Sequence, residues 1–266
     1  MMSLLKEVRA VVKWRELLWQ MVSREVIARY KQSILGYFWV ILNPLAQMLV
    51  MSFAFSIIMR IPTSASSNIP YSIFLFVGLL PWTLFSNSLS SSCASLVGSA
   101  PLITKIYFPR TILVIATTIA KIIDFLFALS ILVFYMVAYQ IPISFNILWV
   151  IPIFIIQQIF TLGLSLFLAA ANLLYRDIQY LLTLILTLWM YLTPIFYPID
   201  IVPENYRFIF QFNPLTVIVN AYRQTILGNG APNFTSLSIA FILSIISLLI
   251  GLSYFKSREK IFADNI

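Results

Sequence analysis

Hydrophobic positions in this chain come in long, nearly unbroken runs, not in the stripes or alternations of a soluble domain. Six runs stand out, at 34–59, 69–96, 112–138, 148–174, 178–197 and 237–255. Each is close to the roughly 20 residues that a helix needs to cross about 30 Å of hydrocarbon. A spanning backbone must satisfy its own hydrogen bonds, which leaves helices or a closed barrel, and the two-residue alternation of a barrel is absent. The pattern predicts an all-α integral membrane protein with six transmembrane helices. Residues 1–266 form one membrane domain.

The stretches between the runs are patterned too. In 1–33, Lys6, Arg9, Lys13, Glu16 and Gln20 recur three or four apart. Leu4, Val8, Val11, Val12, Leu18, Trp19 and Val22 gather opposite them, with Arg15 the exception. This predicts an N-terminal amphipathic helix in the headgroup plane, either an anchor or a wall of a cytoplasmic entrance. The loop 98–110, GSAPLITKIYFPR, is too apolar to be merely solvated. Pro101 suits a first helical turn and Pro109 a stop, so a short cytoplasmic helix with apolar knobs is expected, for docking a partner or for resting on lipid. In 198–236 apolar residues recur from Ile209 to Ile226, Pro214 opens a helix and Gly228 closes it. Two short external helices are expected there, re-entering the outer leaflet as a gate where protein or water covers their backbone.

Charge sets the orientation. Of the 17 Lys and Arg, all but Arg60, Arg207 and Arg223 fall on one set of segments: the N-terminal stretch, the loop at 98–110 with the start of the third run, the loop at Arg176, and the tail. The positive-inside bias places both termini in the cytoplasm. The net charge of +8 then reflects topology and anionic lipid, not nucleic acid. Lys6, Arg9 and Lys13 interrupt any continuous apolar core of a cleavable signal.

Composition excludes several chemistries. The chain is 61% hydrophobic and 10% charged, with mean hydropathy +0.95. It has no histidine and one cysteine, Cys93, so a disulfide framework, a thiolate or imidazole metal site and His-based acid–base catalysis are all out of reach. No metal and no cofactor are expected in this chain. Its seven glycines open no G-x-x-x-x-G-K-[ST] loop, so any ATP and Mg²⁺ must be held by another chain. Lys121 and Asp124 sit three apart in the third run. They are expected to be a structural pair near the cytoplasmic boundary, with an ion relay as the alternative. Aromatic residues mixed with small polar ones suggest a path for sugar, since ring faces stack on sugar C–H faces and Tyr and Trp reach hydroxyls.

Four segments together resemble the permease subunits of ABC-type polysaccharide exporters, the family that exports O-antigen, capsule or teichoic acid. They are Arg29-Tyr30-Lys31-Gln32-Ser33-Ile34-Leu35-Gly36 followed by Trp39 and Asn43-Pro44; Lys105-Ile106-Tyr107-Phe108-Pro109-Arg110; Arg176-Asp177-Ile178 with Leu192-Thr193-Pro194-Ile195-Phe196-Tyr197-Pro198; and Asn213-Pro214-Leu215-Thr216 followed by Arg223. They cover nearly the whole chain in order and spacing. Where many members have an acidic residue after F-P-R, this chain has Thr111.

The resemblance implies a non-enzymatic, channel-forming subunit of the bacterial inner membrane. It acts as a homodimer with two copies of an ABC ATPase and moves a polyprenyl-diphosphate-linked polysaccharide, O-antigen first among the options. The implied sugar path is Tyr37, Trp39, Trp82, Phe85, Trp189, Tyr191, Phe196 and Tyr197. Arg24, Arg29 and Lys31 would meet the carrier diphosphate, or simply serve topology and anionic lipid. Pro101, Leu102, Ile103, Lys105, Ile106, Tyr107, Phe108 and Arg110 would contact the ATPase. The alternatives are a stand-alone lipid flippase or secondary transporter, which would need intramembrane ion ligands, and a membrane transferase or hydrolase, which would need a clustered acid–base or metal site.

Overall fold

A computed structural model describes residues 9–30, 36, 38–59, 69–142, 144–228 and 230–262. Among them the protein is helical throughout and contains no strand. Five helical stretches are long and apolar enough to cross a membrane: Phe38–Ile58, Tyr71–Gly98, Thr111–Ala138, Phe145–Leu174 and Phe234–Ile261.

Helix α1 (Arg15–Tyr30) follows a helical turn at 9–13. Val22 and Val26 are buried against Ala116 and Ala120, while Trp19 and Ile27 stay exposed, so the apolar residues of α1 do not share one face and the expected amphipathic pattern is not found in Arg15–Tyr30. Helix α2 (Phe38–Ser52) carries Pro44 inside it and continues as a wide turn, Phe53–Ile58. Pro44 removes one main-chain donor and crowds the preceding turn.

Helix α3 (Tyr71–Gly98) is the centre of the molecule. It packs against α2, α5 (Thr111–Ala138), α6 (Val150–Leu174), α7 (Ile178–Leu192) and α9 (Pro214–Ile226). Apolar residues surround it on all sides, as a helix enclosed by protein requires. Apolar area alone does not hold helices together in lipid, so polar contacts and close backbone approach matter more. Gln157 on α6 donates to the Pro81 carbonyl at 2.8 Å, and Asn172 donates to the Cys93 carbonyl at 2.9 Å. Against the opposite face of α6, Gly163 meets Gly251 of α10 (Phe234–Arg258). A Cβ built on Gly251 would lie 1.9 Å from the Gly163 carbonyl oxygen, so the two backbones touch where no side chain fits.

Helix α4 (Ala100–Lys105) begins with Pro101 in its first turn. It ends at Lys105, four residues before Pro109, and Pro109 instead opens the first turn of α5. The run at 178–197 is shorter as a helix than as a hydrophobic stretch. Pro194 disfavours helical geometry at the residue before it, and Thr193 is extended. Helix α7 therefore stops at Leu192, with about 22 Å of rise, less than the length of a full crossing. The turn 193–198 leads through a tight turn at Ile199–Ile201 into α8 (Glu204–Gln211) and then α9. All of α9 except Asn220 and Gln224 is buried.

Lys121 is the eleventh residue of α5, about 15 Å along the axis from its start. Asp124, three residues on, lies beside it on the same side of the helix.

Candidate functional site

A cavity of about 470 Å³ opens between α2, α3 and α5, near the end of α7. Three polar edges meet there. Asn43 and Gln47 are four apart on α2, and Thr83, Ser86 and Asn87 lie on one side of α3, so each set shares a helix face. On α5, Lys121 Nζ is 3.9 Å from Asp124 Oδ2, and both side chains are largely buried. The apolar wall is Met51, Leu79, Trp82, Phe125, Ala128, Met190 and Phe196. Asn43, Gln47 and Asn87 are exposed at the mouth. Amides at this depth find no hydrogen-bond partner in lipid tails, so they face water, a polar ligand or another protein surface.

The structure sorts the expected path residues into three groups. Trp82 and Phe196 line the cavity, and Phe196 stacks on Phe55 at 4.9 Å. Phe85 is fully buried behind it, stacked on Phe160 at 5.7 Å and edge-on to Trp189 at 5.3 Å. Trp189 also donates from its indole nitrogen to Asn213 Oδ1 at 3.1 Å. Trp39 and Tyr191 are on exposed flanks, and the Tyr197 hydroxyl donates to the Tyr191 carbonyl at 3.0 Å. Tyr37, Lys31 and the side chain of Arg29 lie outside the described residues. Sequence reasoning passed over Asn43, Gln47 and Thr83 as path residues. The signal was available: two amides four apart in an otherwise apolar run.

Beyond α7 the chain is locked by one buried cation. Arg223 of α9 donates to the Pro194 and Ile195 carbonyls, both at 2.5 Å. Its guanidinium carbon is 3.7 Å from the centre of the Phe74 ring on α3. Gly78 makes the room, since a Cβ there would be 2.7 Å from Arg223 Nη2. Around the same turn, Tyr71 donates to the Phe196 carbonyl at 2.6 Å and Asn213 donates to Thr193 Oγ1 at 3.2 Å. Asn213 also caps α9 by accepting from the Leu215 N–H. Carbonyls left over by the broken helix are thus satisfied by a neighbouring element.

At the other end, the loop 98–110 has two faces. Tyr107 is 93% exposed and Ile106 also points outward, while Ile103 and Phe108 are buried. Pro101 and Lys105 are exposed, and Leu102 and Arg110 are half-buried. Arg24 of α1 donates to Ser99 Oγ at 3.2 Å and borders a cleft of about 320 Å³ with Glu25, Ser95, Ser99 and Thr117. Among the described residues no group of His, Cys, Asp and Glu is placed to hold a metal ion.

Residues 16–227 match the profile of the family described as ABC-2 type transporter. The chain is 33% identical to an O-antigen export system permease protein RfbA of Klebsiella pneumoniae over 94% of both chains. It is 31% identical to the protein of the same name from Myxococcus xanthus, over 99% of this chain and 100% of that one. A polysialic acid transport protein KpsM of Escherichia coli is 25% identical over 89% of this chain and 91% of its own length.

Proposed function

The chain belongs to the ABC-2 type transporter membrane family, and from that premise we propose that it is the channel-forming permease subunit of an ATP-driven exporter of lipid-linked polysaccharide. It lies in the bacterial inner membrane with both termini cytoplasmic. O-antigen is the cargo of first choice, because the relatives above 30% identity carry that name. The observation that carries the reading is the polar cavity at membrane depth, walled by Trp82 and open beside Asn43, Gln47 and Asn87.

The subunit works as a homodimer. Its α2 has only Val40 and Met48 fully buried within one protomer and presents amides where lipid offers no partner. A second copy set against α2 and α7 closes a conduit around these faces. Trp82 and Phe196 offer ring faces to sugar, Trp39 and Tyr191 extend the path on the exposed flanks, and Phe85 and Trp189 back the wall. Many weak stacking contacts let a polymer advance stepwise, whereas a few tight polar contacts would trap it. Helix α7 and the turn after it complete a sixth crossing. The pair α8–α9 sits in the outer leaflet as a gate.

The permease itself hydrolyses nothing. Two copies of a separate ABC ATPase, with ATP and Mg²⁺, supply the work through the outward face of 98–110, chiefly Ile106 and Tyr107. Arg24, which lies beside Ser95 and Ser99, would meet the carrier diphosphate on the cytoplasmic side.

Purification with the ABC ATPase and reconstitution in liposomes tests the reading. ATP hydrolysis should rise when polyprenyl-diphosphate-linked polysaccharide is supplied. A lone subunit that moves solute down an ion gradient with no nucleotide present would refute it.

A further inference from the structure

The cytoplasmic end of α10 does something its hydropathy does not require. The apolar run is over by Lys256, yet the chain makes a tight turn, Glu259–Ile261, and returns onto the loop before α5. The main-chain N–H of Arg110 donates to Glu259 Oε1 at 3.3 Å, and Arg110 Nη1 donates to the Glu259 carbonyl. Lys256 Nζ holds the other carboxylate oxygen at 2.7 Å. The Arg110 guanidinium lies 5.9 Å from the centre of the Phe262 ring, which is fully buried and edge-on to Phe255 at 5.1 Å. Phe262 shares one apolar cluster with Ile103 and Phe108 from the loop.

The arrangement has a specific electrostatic sense. Arg110 is the residue that caps α5, and no side-chain cap of its own serves that helix end. The first N–H groups of a helix lack partners and carry partial positive charge. Glu259 supplies the missing acceptor and a negative charge from a segment 149 positions away in sequence. The loop therefore has its outward knobs free and its inward side fastened to the end of α10.

We propose that segment 256–262 is a brace for the loop 98–110 and that Glu259 is a positioning residue for energy coupling, passing displacement of the loop to α10 as well as to α5. This rests on the ATPase-driven reading above. Without that fastening the loop would yield when pushed, and the push would be lost. A loop fastened to α10 moves as one body with α10 and with α6, which crosses α10 at Gly163 and Gly251.

The test uses the permease–ATPase complex in proteoliposomes supplied with polyprenyl-diphosphate-linked O-polysaccharide. The readout is polymer exported per ATP hydrolysed. Glu259→Ala should keep the ATPase bound and lower this ratio about tenfold, the scale of losing charge-assisted hydrogen bonds. Glu259→Gln should recover most of it, because the amide oxygen still accepts from the Arg110 N–H. An unchanged ratio in Glu259→Ala overturns the proposal. So does a fall in export that is fully accounted for by a partial loss of assembled complex, with the ratio of the assembled fraction unchanged. Should Glu259→Ala not assemble, Phe262→Leu decides, since it keeps apolar volume and removes the ring beneath Arg110: a roughly twofold lower ratio supports the brace and an unchanged one overturns it. A wild-type chain that retains no ATPase defeats the exporter reading itself, an outcome distinct from normal coupling in the variants.

Discussion

Helices α2 and α3 are adjacent in the chain and both apolar enough to cross a membrane, yet few residues of the first are fully buried and most of the second are. Hydropathy reports that both leave water. It does not report whether lipid or protein receives them. What separates the two is local chemistry. Helix α3 has Gly78 beneath a buried arginine, and its Pro81 and Cys93 carbonyls are met by amides from α6. Helix α2 has no such ties among its described contacts and turns Asn43 and Gln47 to its exposed side. The less buried helix is the one with unspent polar groups, which is the mark of a surface completed by something else.

The comparison breaks most sharply at Arg223, the cation that fastens the outer end of α3 to the turn after α7. Arg223→Ala leaves the Pro194 and Ile195 carbonyls without donors and a void over Phe74. The expected loss is about 2–4 kcal/mol of stability. A thermal melt in detergent should fall steeply. Lysine in its place should recover only part, since an ammonium cannot present the planar fork that reaches two carbonyls at once. A melt unchanged in Arg223→Ala would mean that α3 is held by packing alone.

The reverse expectation applies to α2. Asn43→Leu with Gln47→Leu should leave the melt within about 0.5 kcal/mol, because neither side chain is enclosed by the protomer. Export through the complex should nevertheless fall about tenfold, as the polar edge of the cavity is lost to a hydroxyl-rich cargo. Equal losses of stability and export would place both amides in the fold and not in the path.

Much of this was legible in the sequence, for physical reasons that particular residues make clear. The runs that became α3, α5, α6 and α10 needed only hydropathy and length, because a spanning helix leaves no other solution for its backbone. The run at 178–197 stays apolar past Leu192, through Ile195, Phe196 and Tyr197, while Pro194 ends the helix, so hydropathy alone does not show where the helix stops. Periodicity did not separate Trp82 from Phe85 either. They are three apart on α3, so they lie near one another on the helix surface, yet one lines the cavity and the other stacks on Phe160. Arg223 counted as an outward charge in the topology and as part of the family resemblance, not as a buried lock. Its place in an otherwise apolar stretch, PLTVIVNAYRQTI, hinted that it would be buried and paired.

The smallest effect should come from the apolar part of the exposed face. Leu49 and Val50 on α2 are well exposed, and in a lone protomer they meet only lipid. Exchanging Leu for Ala there swaps contacts with lipid tails for similar contacts, so Leu49→Ala and Val50→Ala should each shift the melt by less than about 0.5 kcal/mol. Their effect belongs to association. If a second copy covers this face, cysteines placed at the two positions in a Cys93→Ser background should cross-link between protomers in native membranes. Cys93 is buried, so its replacement removes a competing thiol without touching that face. Cross-linking absent at both positions and at their neighbours one turn away would leave α2 against lipid. The exposed amides of Asn43 and Gln47 would then need water alone to satisfy them, which a cavity within a single protomer would have to admit.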